Sequence, residues 1–171
     1  MGDPVDTSEE SLVPKWLSIS CLVLATAALA VSAYLTWEHF HDPSGTTLAC
    51  PATGAINCVK VTTSQYSKFL GMPVAILGLL YYVVVWVLNL PAMWRSASSA
   101  VRWGRLVVVT MGLVFVLWLV YAELYLIDAI CLWCTAVHVI TFLLFCLTLY
   151  ATVALMADFD DDFDEEDLVE A

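Results

Sequence analysis

The sequence predicts an all-α membrane protein, a bundle of four transmembrane helices with a cysteine-bearing extracytoplasmic loop. Of its 171 residues, 61% are hydrophobic, whereas soluble domains carry roughly 45–50%, and the mean hydropathy is +0.85. Four stretches, 16–37, 72–92, 105–127 and 130–156, each hold the about twenty apolar residues that cross a bilayer core. Charge is pushed to the ends. Thirteen of the 17 acids lie before Lys15 or after Ala157, leaving four acids against six Lys and Arg in the body. That mild excess makes no basic patch, so nucleic acid is not an expected partner.

Residues 1–15 are acidic and expected to be disordered. The first apolar stretch contains Ala28-Leu29-Ala30, which looks like a signal-peptidase site. It is nevertheless longer than the roughly 7–15 residues of a signal core, and only Lys15 precedes it as a cation. A retained helix is therefore expected. The longest polar connection, 38–71, follows it. After the fourth stretch, residues 157–171 carry the run Asp158 to Asp167, a like-charge block expected to remain disordered in the cytoplasm. Phe159 and Phe163 leave an interaction motif open there.

Orientation follows from the cations. Lys15 precedes helix one and Arg95, Arg102 and Arg105 lie at the joint of helices two and three, whereas Lys60 and Lys68 fall in the 38–71 loop. The larger group marks the cytoplasmic side, with both termini. Trp37, Trp86, Trp94, Trp103 and Tyr34 fall near the interfaces, as an aromatic belt requires. The 38–71 loop and the joint between helices three and four then share the outer side, and with them Cys50, Cys58, Cys131 and Cys134. In bacteria that side is the oxidising one.

Cys131-Leu132-Trp133-Cys134 opens the fourth helix. Cysteines three apart lie about 60° around a helix and one turn along it. Both fit the first turn, with Asp128 as N-cap, where unpaired N–H groups and the helix dipole favour thiolates. The pair reads as a redox-active dithiol. Half a zinc site is the alternative, with His39 and His41 as the His neighbours of the remaining cysteines; no metal site is expected. Cys50 and Cys58 bracket seven residues containing Pro51 and Gly54, so they can close a loop disulfide, redox-active or a static staple. Cys21 and Cys146 lie mid-helix and are expected in the core. Glu123, near the outer end of helix three, is expected to reach interfacial water, with proton transfer as the alternative.

The run Asn57 to Ser64, NCVKVTTS, and Gly71 to Gly78, GMPVAILG, together with both cysteine pairs and the four-helix layout, resembles the bacterial vitamin K epoxide reductase homologues. The phrasing around Cys58 is most similar to actinobacterial members, and the similarity covers residues 16–150. The resemblance implies a quinone-reducing, disulfide-forming oxidoreductase of the bacterial inner membrane. In it, Cys134 faces a quinone of menaquinone or ubiquinone type, Cys131 exchanges with Cys58, and Cys50 is attacked by a thioredoxin-like partner. Ser64 matches a family serine on a short helix capping the bundle mouth. His138 stands where the animal enzymes carry a quinone-lining Tyr, so Ser64 and His138 are the expected quinone contacts. Pro51 replaces an Asp common in the family. Many members carry a fused thioredoxin-like domain, and here a separate extracytoplasmic protein is expected in its place. Vitamin K epoxide reduction, a metal-binding membrane protein and a structural tetraspan remain alternative readings.

Overall fold

Small residues mark where the first helix meets its neighbours. The computed structural model describes residues 14–42, 44, 48–50, 53–96 and 98–169, from 155 onward as backbone only. Helix α1 spans Lys15–His41 and buries Leu17, Cys21, Ala25, Ala28 and Ser32 along one stripe. These recur every three or four positions, one face of a helix, and their small side chains allow close approach inside a membrane. Against the stripe pack Tyr82 and Val85 of α3 (Val74–Leu88) and Leu144 of α6 (Leu132–Val169). Helix α5 (Ser99–Tyr121) closes the bundle against α6. Ile19, Val23, Met111, Val114 and Leu117 face outward, the distribution expected where lipid is the solvent.

Three of the apolar helical segments, Lys15–His41, Ser99–Ile127 and Leu132–Ala154, are long enough to cross a bilayer. The second differs from expectation. Helix α3 has only 15 residues, about 22 Å at 1.5 Å per residue, instead of the 72–92 span. A tight turn at Asn89 and Leu90 interrupts it, and Pro91, well placed in a first helical turn, starts the short α4 (Pro91–Trp94). Helix α5 begins at Ser99, six residues before the expected boundary. That places Arg105 on the helix, with its guanidinium 3.6 Å from the Trp94 ring and its Nε–H donated to the Leu88 carbonyl.

The last helix is also longer than expected. Its backbone stays helical to Val169, through the acidic run where a chain without secondary structure is expected; neither Gly nor Pro interrupts 132–169. Residues 1–13, Pro51 and Glu170–Ala171 lie outside the described residues, and with them the expectations attached to the N-terminus and to Pro51. Cys21 is buried as expected, but Cys146 is exposed. Leu144 and Thr148 take the inward face of α6, and a residue midway between them points the other way.

Between α1 and α3 the chain builds a cap. Helix α2 (Cys58–Thr62) is followed by a single 3-10 turn, Gln65–Ser67. A two-residue hairpin comes next, in which β1 (Lys68–Phe69) pairs with β2 (Met72–Pro73). Its turn residues Leu70 and Gly71 have φ of 52° and 84°, the geometry of the primed turns that suit a hairpin. Phe69 stacks edge-on against Phe115, which docks the hairpin on α5.

Candidate active site

Cys50, Cys58, Cys131 and Cys134 meet at one corner. Cys58 and Cys131 belong to a buried cluster with Leu48, Val61, Ile127 and Ala129, and Cys50, Tyr34, Trp133 and Cys134 pack against it. Backbone pairing sets this up. Ile130 donates its N–H to Ala55 at 2.8 Å, and its carbonyl accepts from Asn57 at 3.0 Å. An isolated parallel bridge between Ile56 and Ile130 holds the two segments together, two residues before Cys58 and one before Cys131, and both sulfurs enter the same cluster. The Asn57 side chain also accepts the Lys60 backbone N–H at 2.9 Å, capping α2 so that Cys58 is its first residue. Lys60 Nζ in turn reaches the Asp128 carbonyl at 3.1 Å.

Cys50 and Cys58 form a disulfide, with Cα atoms 6.0 Å apart, whereas Cys131 and Cys134 are free thiols. Two aromatic side chains hold the Cys50 arm. Trp133 Nε1–H donates to the Ala49 carbonyl at 3.0 Å, the Ala49 N–H donates to the Tyr34 hydroxyl at 3.3 Å, and the two rings lie 5.1 Å apart. Tyr34 therefore does more than sit in an interfacial belt, and Trp133 gives the centre of the Cys-x-x-Cys motif a structural task. Sequence reasoning missed both, because one turn of α1 meets the loop only through the tertiary fold.

The expected N-cap is corrected. Asp128 has φ 51° and ψ 52° and closes the preceding segment in the left-handed conformation, which suits Asp better than most residues. Cys131 itself precedes α6, so only Cys134 lies in the first turn. The Cys131 carbonyl accepts the Thr135 N–H at 2.8 Å, and its Sγ accepts the Cys134 N–H at 3.4 Å. The sulfur thus occupies the position of a capping oxygen. A hydrogen bond from the Cys134 thiol, outweighing burial, holds the Cys131 thiol below its ordinary value.

Cys134, half-buried, opens onto a cavity of about 950 Å³ between the helices and under the cap. Its wall is mostly apolar, with Val61, Leu77, Phe115 and Leu119 among the lining residues. Ser64 and His138, the two residues expected to contact a quinone, line it too. Ser64 lies at the exit of α2 rather than on a helix, and its hydroxyl donates to the Val61 carbonyl at 2.8 Å. His138 lies one turn below Cys134, buried, with no hydrogen bond among the described residues. Tyr81, also on the wall, has a buried hydroxyl without a partner. Its neighbour Tyr82 hydrogen-bonds Thr141 at 2.6 Å.

Glu123 departs most from expectation. It is 6% exposed and lines the cavity, so it does not reach interfacial water. A π-helical segment, Ala122–Ile127, follows α5; such widened turns re-aim side chains and recur at functional sites. Here the carboxyl approaches the Cys131 backbone N–H and the Cys134 thiol.

Comparison with curated proteins gives no match. The sequence does match the model of the vitamin K epoxide reductase family over residues 19–149, well over half of its 171 residues. The matched stretch includes α2, the hairpin, both cysteine pairs and nearly all the apolar helices. A helical membrane bundle whose two cysteine pairs converge beside an apolar cavity is thus joined to a sequence match of the same extent, and the chain belongs to the vitamin K epoxide reductase family.

Proposed function

We propose that this protein is a membrane quinone reductase that makes disulfides, taking electrons from a thioredoxin-like protein and passing them from Cys50/Cys58 to Cys131/Cys134. Family membership brings quinone-linked thiol oxidoreductase chemistry; the direction, route and partner are our reading. The observation that carries it is the shared corner. Cys58 and Cys131 lie in one buried cluster, and Cys134 lies on the wall of the cavity.

The residues fit a quinone. A ligand pocket usually measures roughly 300–1,000 Å³ and is mainly apolar, with few polar groups. This cavity falls in that range, and the His138 ring and the unpartnered Tyr81 hydroxyl can hydrogen-bond carbonyl oxygens. Ser64 is a further contact at the cap. When bound, quinone supplies the two-electron oxidant.

The chain's sulfurs move the electrons. One partner thiolate attacks Cys50 Sγ and the Cys50–Cys58 bond breaks. The partner's second thiol then resolves the mixed disulfide and leaves a loop dithiol. Cys58 thiolate attacks Cys131 of the closed motif, releasing Cys134 as thiolate. Cys50 closes on Cys58 and frees Cys131, and the two protons of the loop dithiol end on Cys131 and Cys134. Such exchange needs an accessible thiolate and a good leaving thiol, and the lowered Cys131 is a good leaving group. The result is the oxidation state in the structure, with the loop pair joined and the motif pair free. The joined loop pair also takes two of the four sulfurs that the zinc alternative needs.

In this reading the loop and cap face outward, both termini and the Arg-rich joint face the cytoplasm, and the membrane is the bacterial inner membrane. The test is quinone reduction by the purified protein, driven either by a reduced thioredoxin-like protein or by a small dithiol. Cys134→Ser abolishes turnover with both. Cys50→Ser loses only the protein-driven reaction. If Cys50→Ser used the protein as well as wild type does, the relay order is wrong. Supplying vitamin K epoxide in place of quinone tests the alternative substrate directly.

A further inference from the structure

Glu123 is a buried carboxyl with no Lys, Arg or His paired to it among the described residues. An uncompensated buried acid is costly, and ionisable groups inside a membrane protein mark functional sites more often than not. Its backbone explains how it is held. The Glu123 carbonyl accepts the N–H groups of both Asp128 and Ala129, folding the chain tightly back on itself. That fold sets the carboxyl beneath the Cys131 N–H, facing the Cys134 thiol, on the wall of the same cavity. A carboxyl that shares the wall of the oxidant's cavity with the reacting thiol is placed to move a proton between them.

We propose that Glu123 is the catalytic acid–base of the quinone-reducing step. The inference rests on the quinone-reducing reading above. Glu123 carboxylate takes the proton of the Cys134 thiol as that sulfur gives up its electrons, and passes it to a quinone oxygen. The Cys131 thiol gives up the second proton, which reaches the other oxygen. One S–S bond forms between Cys131 and Cys134, two S–H bonds break, and the quinone gains two electrons and two protons as hydroquinone. Glu123 ends as the carboxylate it began as. Neither Ser64 nor His138 approaches the Cys134 sulfur in this way: Ser64 sits in the cap and His138 one turn deeper.

The test is single-turnover oxidation of the pre-reduced protein by a short-chain ubiquinone, with infrared spectra of the reduced protein recorded without quinone. Glu123→Gln keeps the size and removes the base. Expected is a loss of about 100-fold in the quinone step, partial recovery in Glu123→Asp, and unchanged opening of the Cys50–Cys58 bond by a small dithiol. In the infrared, the Cys134 S–H stretching band, assigned with Cys134→Ser, moves to higher frequency in Glu123→Gln, as a proton shared between the carboxylate and the Cys131 sulfur is left to the sulfur alone. Glu123→Gln within twofold of an active wild type overturns the proposal alone, as does an unmoved S–H band. A wild type that oxidises with no quinone overturns the quinone-reducing reading, and this proposal with it.

Discussion

Asn57 donates its backbone N–H to the Ile130 carbonyl at 3.0 Å, and the residue after each is a cysteine. With the Ile130 N–H bond to Ala55, it ties the loop to the motif where Cys58 and Cys131 enter one buried cluster. Side chains at 57 and 130 can vary without disturbing it, but an insertion between 57 and 58 cannot be absorbed. The Asn57 side chain adds the cap on Lys60 N–H. Asn57→Ala is expected to cost about 1 kcal/mol of stability, read as a lower thermal midpoint in detergent. Loop-to-motif exchange should slow in the same variant, measured by the rate at which Cys131–Cys134 opens when the loop dithiol is pre-reduced.

Trp133 holds the Ala49 carbonyl and Tyr34 its N–H. Trp133→Phe keeps a ring against Tyr34 and removes only the Nε1 donor. A lost hydrogen bond of about 1 kcal/mol corresponds to a roughly fivefold effect. Attack by the protein partner on Cys50 is expected to change by about that factor, and quinone reduction driven by a small dithiol hardly at all. Equal losses in both assays would mean that Trp133 acts on the motif instead of on the loop.

Gly112 of α5 faces the Tyr81 phenol of α3, and a Cβ at that position would overlap the ring. Gly112→Ala should destabilise the bundle by about 1–3 kcal/mol, the usual range for overpacking. Adding Tyr81→Leu should recover much of the loss, a coupling that a double-mutant cycle in thermal unfolding measures. Independent, additive effects would contradict the contact.

The Cys131 thiol lies below its ordinary value of 9.0, chiefly through the Cys134 thiol's hydrogen bond. A depressed acid stabilises the folded dithiol form in full above the unfolded value, and that contribution is lost as pH falls through the folded one. Thiolate absorbance of the reduced protein, with Cys131→Ser subtracted, should therefore titrate below pH 9.0. Cys134→Ala should move the titration upward. No movement would assign the effect to the backbone N–H groups alone.

Much of this was legible in the residues. Apolar runs gave the helical bundle, and the family resemblance, carried by the cysteine spacing and the motifs around Cys58 and Gly71, implied the capped loop. What escaped depends on contacts between distant segments. Composition cannot tell a Glu at an interface from one turned inward by a π-helical segment, so Glu123 was misplaced. Asp128 looks like an N-cap because Asp favours both helix starts and left-handed ends; only the backbone shows which. The shortness of α3 was hidden because Leu88 to Trp94 stays apolar across the turn at Asn89.

Cys131 has no exposed surface at all. In the proposed relay its partners in exchange are Cys58 and Cys134, and a dissolved thiol or oxidant has no direct way to it. The junction is insulated. Exchange at Cys131 is left, in that relay, to the protein's own sulfurs, and a small dithiol enters through the half-buried Cys134.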